Sequence, residues 1–230
     1  MKEWAIIFDV DGVLLELTRD EEELFFEPFA AYLDHTKLSR DWNSYAIRND
    51  EDIIREILSA RHLPLDLAKK ISANYLASLR DKLQQREIIS KPIAGALALL
   101  NELSPLAQLG IATANFCEAA ALRLQQADMW HTVKDCAFGA DGGGAKSVIL
   151  QRAIASLSRP KNRIIFIGDN INDVQAGLQN GVHFIGFSND EKRLALLAQA
   201  GAKSCAKSHD ETARIILGIM NNNKIGKTNV

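Results

Sequence analysis

Two aspartates two residues apart, Asp9 and Asp11, end the apolar run that opens AIIFDVDGVLLE (residues 5 to 16), and a second acidic pair, Asp169 and Asp173, follows the run in RIIFIGDNIND. Each pair follows a short, continuously apolar run, the pattern of a parallel strand buried on both faces. In open parallel sheets ligands bind beyond the carboxyl ends of the strands. The same rule picks out Thr113, at the end of QLGIAT. Carboxylates crowded into one crevice repel one another unless a cation sits among them. Hard oxygen ligands of this kind suit Mg²⁺, which shares its shell with water and substrate phosphate.

The elements that must position these groups read as follows. WAIIF (residues 4 to 8) is a strand, and Gly12 permits the turn after it. Residues 18 to 86 are rich in helix formers, with no convincing strand. Thr18 and Glu21 have capping-box spacing, and Pro28 should end or bend the first helix. Asn49 is placed to cap DEDIIREIL, and a third helix spans about 65 to 85, with Leu67, Ile71, Tyr75, Leu76 and Leu79 at helical spacing. From Pro92, expected in the first turn of a helix through ALALLNEL, helices alternate with short apolar strands. These strands are expected near 108 to 113, 135 to 138, 163 to 169 and 182 to 187. The helices are expected at 116 to 127, 145 to 157, 173 to 180, 190 to 200 and 210 to 220. Repeated β-α units imply a parallel sheet covered by helices on both faces, to which the first strand also belongs. The fold class is therefore α/β, with a core of residues 1 to 15 and 90 to 222, an inserted helical cap of residues 16 to 89, and a flexible tail of residues 223 to 230.

These motifs, in this order, resemble the haloacid dehalogenase superfamily of phosphohydrolases: FDVDGVL, Thr113 in GIATAN, Lys146 in GGAKSVIL, and GDNIND. The resemblance covers nearly the whole chain, implies a Rossmann-like core with an inserted helical cap, and points to the phosphoglycolate phosphatase branch. It implies that Asp9 is the nucleophile and becomes a phosphoaspartate, and that Asp11 is the general acid and then the base. It further implies that Asp9, the backbone carbonyl of Asp11, Asp169 and Asp173 hold Mg²⁺, and that Thr113 and Lys146 bind phosphate. The sequence departs from the usual pattern at Ser147, where a proline often follows the motif lysine. A phosphosugar mutase would use the same aspartate pair, and a catalytically silent binding module would keep the fold without turnover. Dehalogenation is disfavoured, because that chemistry does not require the acid/base group that Asp11 supplies.

Other residues have quieter readings. Asn115 has capping spacing to Glu118 and lies beside the second motif, where substrate could also meet it; Arg48 could greet a substrate's anionic end. The glycines at 142 to 144 read as a flexible loop, and His209 as the start of a surface helix. Cys117, Cys136 and Cys205 are widely spaced and read as inert reduced thiols.

With 230 residues, 47% hydrophobic and 24% charged, the chain can bury a sizeable core plus a smaller domain. A net charge of −2 gives no argument for nucleic-acid or membrane-surface partners. No signal segment or membrane span is legible, so the expected setting is cytoplasmic, with a small phosphorylated metabolite as partner.

Overall fold

The computed structural model describes residues 2 to 225. Its sheet has six parallel strands: β1 (Trp4–Phe8), β2 (Ala107–Ala112), β3 (Ala137–Phe138), β4 (Ile164–Gly168), β5 (His183–Phe187) and β6 (Ser204–Ala206). They lie in the order β3-β2-β1-β4-β5-β6. The chain builds outward from β1 on one side and then on the other, so a crevice opens at the carboxyl end of β1, flanked by β2 and β4. Ile6 pairs in register with Leu109 and with Ile165.

Every residue of β1 is buried, and the pleat divides them between two clusters. Trp4, Ile6 and Phe8 pack with Leu99 and Leu103 of α4 (Ala96–Leu103) and Ile216 of α10 (His209–Ile225). Ala5 and Ile7 face the other way, toward Ile149 and Leu150 of α7 (Lys146–Ser156) and Val174 of α8 (Ile171–Asn180). Ile165 and Ile167 against Ile164 and Phe166 repeat the division on β4. Alternating faces of one sheet, each covered by helices, account for strands apolar at every position. Helices α5 (Cys117–Gln126), α6 (Trp130–Val133) and α9 (Glu191–Gln199) complete the αβ alternation.

Residues 16 to 89 hold three α-helices and short 3-10 turns, with no strand. The capping box of Thr18 and Glu21 starts α1 (Arg19–Phe26), Pro28 sits in the 3-10 turn that follows it, and Asn49 accepts from the Asp52 amide to start α2 (Asp50–Ala60). In α3 (Leu67–Gln84), Ile71, Tyr75, Leu79 and Leu83 are the buried stripe. They join Phe25, Phe26 and Ile53 in a separate cluster, which also takes in Phe116 and Ala119 of the neighbouring segment. The chain leaves and returns side by side: Leu15 bridges Pro92 in antiparallel fashion, Glu16 N–H donates to Lys91 O (2.9 Å) and Ile93 N–H to Leu14 O (3.0 Å).

Four expectations are corrected. Pro92 is not in a helical turn, because its extended backbone is needed to pair with Leu15; α4 starts at Ala96, after Gly95 at φ +83°. The short edge strand β6 lies between the last two helices, where three residues, two half-buried and Ala206 buried, gave no apolar run. His209 does not lie on the surface: it is 2% exposed, its Nε2 is 2.9 Å from Val13 O, and its ring stacks on Phe187 at 4.4 Å. The glycine triplet has all three φ positive, and two of its amides are held, Gly142 N–H by Glu51 Oε2 and Gly144 N–H by Asp52 Oδ2, both at 2.7 Å. The final helix runs to Ile225, into the segment expected as tail; residues 226 to 230 lie outside the described residues.

Candidate active site

The strand ends bring the acidic pairs together. Asp9 follows β1 and is tied to β4 through its amide, which donates to Ile167 O (2.9 Å), while its Oδ1 accepts from Val10 N–H (2.8 Å). Gly12, at φ +77°, makes the turn, and a Cβ there would lie 2.4 Å from Asp169 Oδ2. Beyond β4, Asn170 and Asp173 form the capping box that starts α8, two residues earlier than expected; this leaves Asp173 1% exposed, with Oδ2 on Asn170 N–H (3.1 Å). Oxygens of Asp9, Asp169 and Asp173 lie within 4.8 Å of one another.

Lys146, the first residue of α7, reaches into this group. Its Nζ is 2.8 Å from Asp9 Oδ1 and 3.0 Å from Asp173 Oδ1. Burial works against the lysine charge, but Asp173 and Asp9 more than offset it and raise its pKa. Burial also pushes the Asp9 carboxyl up, to about 8, with Lys146 opposing and Asp173 and Asp169 adding to the rise. For Asp169 burial and then Asp173 raise it to about 6, against Arg193, Lys146 and Arg48. Burial leads both rises, and the three carboxylates outnumber the two cations bonded to them, Lys146 and Arg193, whose Nη2 is 2.9 Å from Asp169 Oδ2. A hard divalent cation fits such an oxygen set.

Thr113, 1% exposed, follows β2, with its hydroxyl 3.2 Å from the Asn115 side chain. Asn115 does not cap α5, correcting the spacing argument. The amides at the start of α5 are taken instead by Asp50 Oδ2 (Phe116 N–H, 2.7 Å) and Asp141 Oδ2 (Cys117 N–H, 2.8 Å). That frees the Asn115 side chain to line the central cavity, as Arg48 does from the helical segment.

The carboxylate of Asp11 points elsewhere. Its Oδ1 accepts from Arg123 Nη1 (2.7 Å), and Arg123 also binds Glu21 (2.7 Å) and Glu16 O (3.1 Å). Burial alone would lower the Arg123 pKa, yet Asp11 and Glu21 raise it, so this 2%-exposed guanidinium stays charged. The sequence reading missed Arg123, although one signal was present. On α5 it falls on the buried face with Ala119, Ala120 and Leu124, where an unpaired arginine would be costly. Asp50 and Tyr75 were missed as site residues; both line the cavity, whose volume is about 420 Å³. Burial raises the thiols of Cys117, Cys136 and Cys205, which disfavours the reactive thiolate.

A six-stranded parallel sheet with three carboxylates and a lysine gathered beyond its strand ends in one cavity defines a class of hydrolase that the family comparison identifies. The model for haloacid dehalogenase-like hydrolases matches residues 6–187, and the chain belongs to that family. No curated protein sequence matches it. Several solved structures share its fold. One is a predicted phosphatase from Clostridium acetobutylicum (20% identity, TM-score 0.68, covering 95% of this chain and 100% of that one). Another is a provisionally named beta-phosphoglucomutase from Bacteroides vulgatus (15% identity, TM-score 0.68, covering 96% and 90%). A third is a family hydrolase from Deinococcus radiodurans with bound phosphate and sodium (20% identity, TM-score 0.59, covering 94% and 95%). Among the described residues, no helix is long and apolar enough to cross a membrane.

Proposed function

We propose that the protein is a Mg²⁺-dependent phosphatase that hydrolyses a small phosphomonoester through a phosphoaspartate on Asp9. The observation that carries this reading is the convergence of Asp9, Asp169 and Asp173 oxygens within 4.8 Å, with Lys146 Nζ on two of the three carboxylates. Asp9, Asp169 and Asp173 would hold the metal, joined by the backbone carbonyl of Asp11. When bound, Mg²⁺ supplies charge neutralisation between carboxylate and phosphate.

An oxygen of Asp9 attacks phosphorus and the ester P–O bond breaks, with the departing oxygen taking its proton from Asp11. Asp11 then removes a proton from water; the water oxygen attacks the phosphoaspartate phosphorus, releasing inorganic phosphate and restoring the Asp9 carboxylate. Arg123 holds one Asp11 oxygen and so sets the direction of the other. Thr113 would donate to a phosphate oxygen, and Lys146 would balance the charge of phosphate and Asp9, tasks that dominate phosphoryl transfer. Arg48 and Asn115 face the bound ester, and the helical segment 16 to 89 acts as a cap that excludes bulk water.

Phosphate release from benzyl phosphate, measured with Mg²⁺ and with EDTA, tests the reading. Turnover is expected with Mg²⁺ and loss of at least about a hundredfold in EDTA; equal or absent turnover in both sinks it. Inorganic phosphate as product, rather than an isomerised sugar phosphate, separates hydrolysis from phosphosugar transfer.

A further inference from the structure

The cavity wall contributed by residues 16 to 89 is chemically unlike the floor at the strand ends. Leu17, Phe25, Trp42, Ile53 and Tyr75 give it an apolar surface, with the Phe25 ring 5.5 Å from Trp42 and 5.4 Å from Tyr75. The charged groups set into this wall are three acids, Glu21, Glu22 and Asp50, and one base, Arg48.

Two of the three cations that line the cavity are paired with acids. Lys146 is taken by Asp9 and Asp173, and Arg123 by Asp11 and Glu21. Arg48 donates to the Asn43 side chain (3.3 Å), and its charge acts on Asp169, at the phosphate end. A second anionic group set against this wall would therefore meet more acids than bases, the one cation there without an acid partner, Arg48, being directed to the phosphate end. Burying it there is costly, whereas an apolar ring gains about 25 cal/mol per Å² removed from water. Polar recognition is confined to few groups. Asp50 spends one oxygen on Phe116 N–H, and the Tyr75 hydroxyl has no hydrogen-bond partner among the described residues.

Resting on the phosphatase reading, we infer that the substrate's alcohol portion is an apolar, ring-sized group with no negative charge, carrying at most a hydroxyl or amine to meet Asp50 and Tyr75. Carboxylate-bearing esters such as phosphoglycolate are selected against, although the sequence motifs alone point to that branch.

Two assays test this. In turnover with Mg²⁺, kcat/KM for benzyl phosphate is expected to exceed that for phosphoglycolate by at least about tenfold. Trp42→Ala should lower the benzyl phosphate value through KM by a larger factor than the phosphoglycolate value. Equal or reversed preference, or equal losses for both esters in the variant, overturns the inference. The second assay needs no turnover: calorimetric binding of benzylphosphonate and phosphonoacetate to the Mg²⁺-loaded protein. Benzylphosphonate is expected to bind at least about tenfold tighter. If no ester is hydrolysed but this order holds, the phosphatase reading fails and the inference stands. Benzylphosphonate binding no tighter than phosphonoacetate, including binding of neither, overturns it.

Discussion

Asp9 and Asp50 are both buried carboxylates raised by desolvation, but they differ in what surrounds them. Asp9 has Lys146 and two further acids beside it, whereas Asp50 accepts one backbone N–H and has no cation bonded to it among the described residues. Asp9→Asn keeps the shape and removes the nucleophile, so turnover should fall by about a thousandfold or more with an unchanged circular dichroism spectrum. For Asp50 the consequence is a dependence of stability on pH. Its carboxyl is raised from 3.8 to about 7, so the folded chain holds a proton that the unfolded chain releases between those values. The stability this contributes is complete below pH 3.8 and lost as pH rises through about 7. Asp50→Asn, which retains an acceptor for Phe116 N–H, should match the wild type near pH 4 and exceed it by up to about 4 kcal/mol at pH 8, read by urea unfolding. The strand-end aspartates were legible because acids recur after two separate apolar runs, a joint pattern that turn formers and helix caps, the common uses of a single such acid, do not require. Arg123 and Asp50 were not, because their partners are remote in sequence: Arg123 meets Asp11, and Asp50 meets Phe116.

At the scale of elements, the turn after β1 fixes how closely two acidic loops approach. Gly12→Ala would place a Cβ 2.4 Å from Asp169 Oδ2 at a φ of +77°. The substitution should cost about 1–3 kcal/mol. It should also abolish any rise in melting temperature that Mg²⁺ gives the wild type, because Asp169 is pushed aside; thermal melting with and without Mg²⁺ checks both. The start signals of α1 and α2 were readable because Thr18, Glu21 and Asn49 make their bonds within three residues. Pro92 and β6 were misread for the opposite reason, since each is set by a partner far along the chain: Leu15 for Pro92, and β5 for β6.

In the whole molecule, the helical segment is held to the sheet-bearing part at more than the crossing near Leu15 and Pro92. The Asp52 carboxylate takes Gly144 N–H (2.7 Å) and the Asn49 side chain (2.6 Å), and Asp50 N–H donates to Ala114 O (2.9 Å). Asp52→Ala should speed amide exchange at residues 142 to 144 by about tenfold, corresponding to about 1.4 kcal/mol, as measured by hydrogen exchange. The parallel sheet itself was legible from repeated apolar runs, whereas this docking was not, because the glycines read as slack chain until their amides had acceptors. The strand order also bears on how the chain is made. β1 occupies the middle of the sheet, with Ala5 beside Gln108 on one side and Ile164 on the other. At about 5–20 residues per second, the ribosome delivers those neighbours many seconds after β1 has been synthesised. Phe25, Ile53, Ile71 and Tyr75, which share one cluster, are all synthesised before either neighbour. The first strand synthesised is thus among the last to find both its partners, and the helices that follow it have time to assemble while it waits.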